Sequence, residues 1–405
     1  MINRLKREFS NYPAQFWLMF AGMAVAMTGA TMIWPFLMIY ASEKLSLSLG
    51  AAASLMTINA AAGLLSSFLA GPIVDRLGRK WAMVISLLGN ACCYFLLSQA
   101  THYASFALIL GVNGAFSPLY RVGSDAMLAD LFPADRRVDA YALYRMARNI
   151  GVAVGPALGG LVLSRSYTIG MFSAAGGYLF YGLILLVFAH ETIPLDVKIQ
   201  NTSFAGQLRG YWRVLQDKPF MGLVGAFTLV QMTTAMIWVL LSVYVKTNYG
   251  ISERLYGWLP TTNALMVVFL QVMITRATKR FPPVGVMRWG ALFYILAPSV
   301  VILSGGFWGF WLAMVTMTLG ELVVVPRASA YAANLAPIDK RGRYMSLYGL
   351  TWTAATGISP LIGGYLSDQI GPKGPWWGGA LFGVLALAAF WLMRKDSPEV
   401  ASSNL

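Results

Sequence analysis

Charge is scarce in this chain of 405 residues: Asp, Glu, Lys and Arg make up 11% of it, while 58% is hydrophobic. A soluble domain uses about 25% charged residues to cover its surface, so most of this surface does not face water. A large soluble helical protein is excluded on the same ground, because each of its helices would need a charged face. Histidine and cysteine are nearly absent, with two of each. His102 and His190 stand far apart, and no Cys/His metal spacing exists. Cys92 and Cys93 are neighbours whose side chains would point apart on a helix, so no intrachain disulfide is expected. No catalytic constellation and no G-x-x-x-x-G-K-[ST] phosphate loop occur, which argues against an enzyme and against ATP-driven pumping by this chain. No metal and no cofactor are expected.

What is present is apolar sequence in long runs. A bilayer core about 30 Å thick needs about 20 apolar residues per helix. Neither Ala14 to Ser42 nor Leu45 to Val74 contains a charge, and Trp81 to Tyr120 has no Asp, Glu, Lys or Arg. Spans are expected near 14–41, 48–74, 81–99, 104–131, 139–163, 168–189, 220–245, 255–275, 284–303, 307–335, 344–367 and 376–393. Thirteen Trp and nineteen Tyr fit belts at the two membrane interfaces. The apolar run after the basic N-terminus is of full span length, unlike a cleaved leader.

The formal charge of +14 raises the question of nucleic acid, and its placement answers it. Assigned to alternate sides, the basic residues divide into roughly 21 on one side, 5 on the other and 4 inside spans. The rich side holds Arg4, Lys6, Arg7, Arg76, Arg79, Lys80, Arg136, Arg137, Lys198, Arg209, Arg213 and Lys218. It also holds Arg276, Lys279, Arg280, Arg288, Lys340, Arg341, Arg343, Arg394 and Lys395. The positive-inside rule makes that side the cytoplasm, with both termini on it, in a cell (inner) membrane. The charge therefore reports orientation, and no nucleic-acid partner is expected.

The chain repeats itself. Phe132-Pro133-Ala134-Asp135-Arg136-Arg137 corresponds to Ala336-Pro337-Ile338-Asp339-Lys340-Arg341, Leu143-Tyr144 to Leu347-Tyr348, and Gly155-Pro156-Ala157-Leu158-Gly159-Gly160 to Ser359-Pro360-Leu361-Ile362-Gly363-Gly364. The first residues of these matches, at 132, 143 and 155, recur at 336, 347 and 359, the same shift of 204 each time. The expected organisation is an N-terminal six-helix half over 1–190, a central loop over 191–218 and a C-terminal half over 219–405. Paired halves of this kind place a binding site between them at the midplane.

The connection after the second span reads Gly71-Pro72-Ile73-Val74-Asp75-Arg76-Leu77-Gly78-Arg79-Lys80. Gly71 permits close packing, Asp75 sits at a helix end within reach of Arg79, and Gly78 allows a tight turn. This run resembles the loop signature of the major facilitator superfamily, G-x-x-x-D-R-x-G-R-K/R, and the chain is similar to that family over its whole length. The resemblance implies an all-α membrane protein of twelve helices in two pseudo-symmetric halves. It also implies a latch built from Gly71, Asp75, Arg76, Gly78 and Arg79, with Asp130 as a further partner, that holds the cytoplasmic side shut. The plain alternative is a charged turn serving topology only. The matching turn of the second half, Arg276-Ala277-Thr278-Lys279-Arg280, lacks the Asp.

Gly151, Gly155, Pro156, Gly159 and Gly160 on the fifth span look like the G-x-x-x-G-P-x-x-G-G signature of the family's antiporter branch. Small residues at four-residue spacing let helices approach, and a proline bends its helix; a generic packing face is the alternative. The branch resemblance favours export. One departure stands out: where many of these antiporters carry an arginine four residues before a glycine on the fourth span, this chain has Leu110 before Gly114.

Of sixteen acidic residues, only Asp125 and Glu321 fall well inside spans, on the fourth and tenth. A charge at bilayer depth costs about 2.5–3.5 kcal/mol on insertion scales. Asp125 has Arg121 one turn away on the same face, which predicts an ion pair. Glu321 stands six residues before Arg327, off its face, and a buried carboxyl without a cation favours its neutral form. Glu321 is therefore the expected proton carrier and Asp125 its modulator; a static hydrogen bond to a neighbouring helix is the alternative role for Glu321. Arg121, Arg327, Tyr120, Trp34, Trp238, Tyr348 and Trp352 are the expected cavity residues. Arg145 and Arg148 either join them, which suits an anionic substrate, or reach back to headgroups and to Asp130 and Asp139. The expectation is proton-coupled efflux of small amphipathic drugs or metabolites by a monomer whose partners are substrate, protons and membrane lipids. Transport of an organic anion or lysolipid is the alternative, ahead of a transport-inactive membrane sensor.

Overall fold

A membrane interior offers no water to backbone N–H and C=O groups, so an apolar run of span length must close its own hydrogen bonds as a helix. The computed structural model describes residues 12–133, 136–193, 212, 214–337 and 341–393. Arg4, Lys6, Arg7, Ala134, Asp135, Lys198, Arg209, Arg213, Ile338, Asp339, Lys340, Arg394 and Lys395, together with most of the expected central loop, lie outside the described residues, as do the side chains of Asp139 and Arg341.

Twelve spans follow in order among the described residues. The first runs Ala14–Ile33, tightens into a 3-10 turn at Trp34–Phe36 around Pro35, and continues as Leu37–Leu45. The next five are Leu49–Leu77, Arg79–Gln99, Tyr103–Leu131, Arg137–Leu163 and Tyr167–Phe188. The seventh is Lys218–Tyr249, and the eighth is Trp258–Thr278, led by the short helix Glu253–Tyr256. The last four are Pro283–Leu303, Phe307–Leu335, Arg341–Ile370 and Gly374–Leu392. Ten spans are apolar enough to cross a membrane by length and composition. The two that fall short are the fourth, which carries Arg121 and Asp125, and the eleventh, rich in Gly, Ser and Thr. Both give side chains to internal cavities rather than to lipid alone.

The repeat seen in the sequence is a repeat of helices. The third span, 79 to 99, recurs as the ninth, 283 to 303; the fourth, 103 to 131, recurs as the tenth, 307 to 335; every end is shifted by 204. Packing repeats too. In the first half, span one packs on five and six, two on four, and three on four and six; in the second, seven packs on eleven and twelve, eight on ten, and nine on ten and twelve. Between halves, two packs on eleven and five on eight, a pairing that the same exchange of halves preserves.

Those contacts between halves concentrate at the end opposite the Arg76–Lys80 loop, called here the far end; the loop marks the basic end. At the far end a methyl group added to Gly364 would come 2.5 Å from the Cα of Gly50, so only glycines let the second and eleventh spans touch there. The Ser48 hydroxyl donates to Asp368 at 3.0 Å, and the Thr57 hydroxyl to the Gly357 carbonyl at 2.5 Å. Toward the basic end the same two helices separate around a cavity lined by Gly63, Ser67, Trp352 and Thr353, and nothing lies within 4 Å of where a Cβ on Gly71 would stand. The bundle is closed at the far end and open at the basic end.

Candidate functional site

The central cavity lies between the halves, with a volume of about 620 Å³, in the range of pockets for drug-sized molecules. The first half contributes Arg145, Arg148 and Asn149 from the fifth span, with Trp34 where the 3-10 turn breaks the first; the second contributes Glu321, Asn263, Trp238 and Trp352. An adjoining cavity of about 470 Å³ inside the first half shares Arg145 and Arg148 and adds Arg121, Asp125, Tyr120 and Tyr144.

Glu321 is residue 15 of the 29-residue tenth helix, at its middle. It is partly exposed to the cavity. The Asn263 side-chain amide donates to Glu321 Oε2 at 2.9 Å and to the Thr318 hydroxyl at 3.0 Å. Asn263 is buried and was not singled out by sequence reasoning; on its own it reads as one polar residue in an apolar helix. Shifted by 204, Glu321 falls on Ser117, while Asp125 is residue 23 of the fourth helix. Eight residues at 1.5 Å each put the two carboxylates about 12 Å apart in depth, with Asp125 toward the basic end.

Among the described residues the ion pairs are Arg79–Asp75, Arg79–Asp130, Lys246–Glu43 and Lys246–Glu253. Neither membrane carboxylate is in one. The pair expected between Arg121 and Asp125 is therefore not formed. Both side chains are exposed and face the same open cavity, where pairing gains little over facing the open space separately. Arg145 and Arg148 are exposed to these cavities and form no ion pair among the described residues.

The remaining expected cavity residues divide. Trp34, Trp238 and Trp352 line the central cavity. Tyr120 lines the adjoining one, in a hydroxyl cluster with Tyr144 and with Tyr181 at 3.0 Å. Tyr348 does not line the central cavity: it is buried, stacked on Phe227 at 4.9 Å, and shares a hydrogen bond of 3.1 Å with Ser329. Arg327 is also outside that lining, with Nε and Nη2 buried and without a hydrogen-bond partner among the described residues.

At the basic end the loop after the second span is organised around Arg79. Its Nε lies 3.2 Å from Asp130, whereas Asp75 is 57% exposed and 4.0 Å away. Gly78 turns the chain at φ +100, a conformation that disfavours other residues. Glu191, which follows the sixth span, accepts from the Arg79 and Lys80 backbone amides at 3.0 and 3.1 Å and so occupies the positive end of the third helix. The Thr192 hydroxyl adds a bond to Asp130 at 2.9 Å. All of these partners lie in the first half or in the two residues that open the central loop, and none in the second half. Arg76 lies in the last turn of the second helix.

The fifth span meets the first along Gly151, Gly155 and Gly159. A methyl on Gly155 would come 2.7 Å from the Thr28 carbonyl, and one on Gly159 2.9 Å from the Cα of Met32. The Thr31 hydroxyl donates to the Gly151 carbonyl at 2.8 Å across this seam. Pro156 and Gly160 face the second half: a methyl on Gly160 would come 2.7 Å from the Glu253 carbonyl, and one on Gly257 2.7 Å from the Pro156 carbonyl. The glycine face thus holds spans one and five together and seats the far-end closure.

That closure has a polar core that sequence reasoning missed. Glu253 is only 5% exposed. It accepts from Lys246 Nζ at 2.7 Å and from the hydroxyl of Tyr167, in the other half, at 2.7 Å. Lys246 also lies 3.7 Å from Glu43 of the first half. In sequence these residues read as ordinary span ends, and nothing there links position 167 to 253.

The family model described as Major Facilitator Superfamily matches residues 19–236 and 223–405. The chain is similar to the Na(+), Li(+), K(+)/H(+) antiporter of Planococcus maritimus, at 29% identity over 82% of this chain and 85% of the relative. It is also similar to Multidrug resistance protein MdtH of Yersinia enterocolitica, at 24% identity over 82% of each. The fold matches a crystal structure of the peptide transporter POT in complex with sulfate, with a TM-score of 0.76 at 18% identity over 94% of both chains. It also matches a bacterial homolog of the human lysosomal transporter Spinster in an inward-facing and unoccupied conformation, with a TM-score of 0.74 at 14% identity over 93% of this chain and 96% of the other. At such identities the solved structures speak for the fold.

Proposed function

This chain belongs to the Major Facilitator Superfamily, a multi-pass membrane transporter, and on that premise we propose that it exports small amphipathic molecules in exchange for protons by alternating access. The basic side is the cytoplasm, the termini lie there, and the far end faces outward, so the conformation described is inward-facing. The observation that carries the reading is the place of Glu321: mid-helix, on the wall of the cavity between the halves, held by Asn263 and, among the described residues, by no cation. A carboxyl so placed exchanges a proton with whichever side the cavity opens to. Asp125, nearer the cytoplasm and facing Arg121, Arg145 and Arg148, modulates the passage.

Alternation follows from the two ends. Outward opening breaks the Tyr167–Glu253 and Ser48–Asp368 bonds and brings Asp75, exposed in this state, against the second half as the cytoplasmic latch. The relatives named as antiporters and multidrug resistance proteins support exchange and broad substrates. A second reading, transport of an organic anion, is favoured by Arg145 and Arg148, which have no ion-pair partner among the described residues.

The test is reconstitution of the purified chain in proteoliposomes, with and without a pH gradient, against cationic, anionic and dipolar amphiphiles and against Na⁺ and K⁺. Gradient-driven accumulation of an organic substrate is expected. Exchange of protons for alkali cations alone would replace the organic-substrate reading, and no gradient-dependent flux of any kind would refute coupling.

A further inference from the structure

The central cavity carries opposite charge on its two walls, and among the described residues neither charge is taken up in an ion pair. On the first-half wall Arg145 and Arg148 stand three residues apart on one helical face. Neither has an ion-pair partner within 4 Å among the described residues. Two adjacent guanidiniums repel each other and form a ready seat for a carboxylate or phosphate, which arginine grips through two parallel N–H donors. Asp125 and Arg121 face the adjoining cavity beside them, so that wall holds three cations against one anion. On the second-half wall Glu321 uses Oε2 for Asn263, while Oε1 carries no hydrogen bond among the described residues. Between the walls stand the indoles of Trp34, Trp238 and Trp352, faces that hold an apolar or aromatic body.

We propose that the cavity takes a dipolar organic amphiphile: an anionic group on Arg145 and Arg148, an ammonium group at Glu321, and an aromatic or apolar body among the three indoles. This rests on the reading of the chain as a transporter and narrows its substrate class. A purely cationic drug would lie against two uncompensated arginines, and a purely anionic one would face the Glu321 carboxylate. A molecule with both charges answers each wall and also spans the two halves, so that its binding draws them together.

The experiment uses one scaffold in three charge forms: Nα-dansyl-lysine, which is dipolar with its carboxylate and ε-ammonium at opposite ends of the side chain; its methyl ester, a cation; and its Nε-acetyl derivative, an anion. Binding to the purified full-length chain in nanodiscs is read from dansyl fluorescence. The dipolar form is expected to bind about 10-fold or more tighter than either analogue. Glu321→Gln should erase its advantage over the acetyl form, and Arg145→Gln combined with Arg148→Gln its advantage over the ester. The wild-type comparison needs no variant to fold. Equal or tighter binding of the ester overturns the proposal in favour of a cation site, and equal or tighter binding of the acetyl form in favour of an anion site. Absence of dipolar binding overturns it outright. Gradient-driven flux of another charge class in proteoliposomes would then leave the transporter reading standing, whereas absence of all flux would remove both.

Discussion

Tyr167→Phe removes one hydroxyl and leaves the ring, which lies 5.2 Å from that of Tyr40, in place. The lost bond is the 2.7 Å donation to Glu253 across the far-end closure. Hydrogen bonds to charged groups contribute about 1.5–3 kcal/mol. The Lys246–Glu43 contact, 3.7 Å long with side chains 30% and 48% exposed, contributes about 0–1 kcal/mol. Tyr167 is therefore the stronger polar tie between the halves at this corner. If its bond exists only when the far end is closed, Tyr167→Phe moves the ratio of closed to open by about 10- to 100-fold, since about 1.4 kcal/mol is tenfold. Spin labels at Thr101 and Gly305, in corresponding far-end loops, read the separation in a background with Cys92 and Cys93 replaced by serine. A new population of longer distances is expected. Glu253→Gln in the Tyr167→Phe background should add less than it does alone, because the two share one contact. An unchanged distance distribution in Tyr167→Phe, with additive effects in the double variant, would refute the assignment of this cluster as the far-end lock.

At the basic end, Asp75→Asn should favour the basic-side-open state and slow transport, because the exposed Asp75 is needed only when that side closes; label distances across the basic face check it. Gly155→Val forces spans one and five apart at the Thr28 carbonyl and should cost about 1–3 kcal/mol or more. Gly176→Val, with nothing within 4 Å of its added carbon, should stay within about 0.5 kcal/mol; melting of the two purified variants decides. Asp125→Asn should keep the parent's melting temperature, since Asp125 makes no ion pair among the described residues and faces the open cavity, while lowering the rate of gradient-driven transport. A large loss of stability would mean that Asp125 supports the fold.

The helices and their repeat were legible because each rests on a local signal. Span length and the absence of charge set the helices, and the shift of 204 set the halves; the third and fourth spans recur at that shift to the residue. Glu321 was legible because a lone carboxyl in an apolar helix is conspicuous. The Arg121–Asp125 pair was misread because one-turn spacing says that two side chains share a face, not that they face an open cavity in which pairing gains little. Tyr348 was misplaced because an aromatic ring at a cavity-side spacing is equally suited to stack on Phe227 of a neighbouring span. The Tyr167–Glu253–Lys246 cluster had no local signal, since it exists only once the two halves close on each other.

The central claim is that Glu321 carries the exchanged proton. Proteoliposomes loaded with a pH-sensitive dye report proton movement when substrate is added outside. The parent chain should move protons on substrate addition, and Glu321→Gln should move none while still binding substrate, about 10-fold or more weakly, and exchanging it at saturating concentration across the membrane without a gradient. Substrate-driven proton movement at the parent rate in Glu321→Gln would contradict the account.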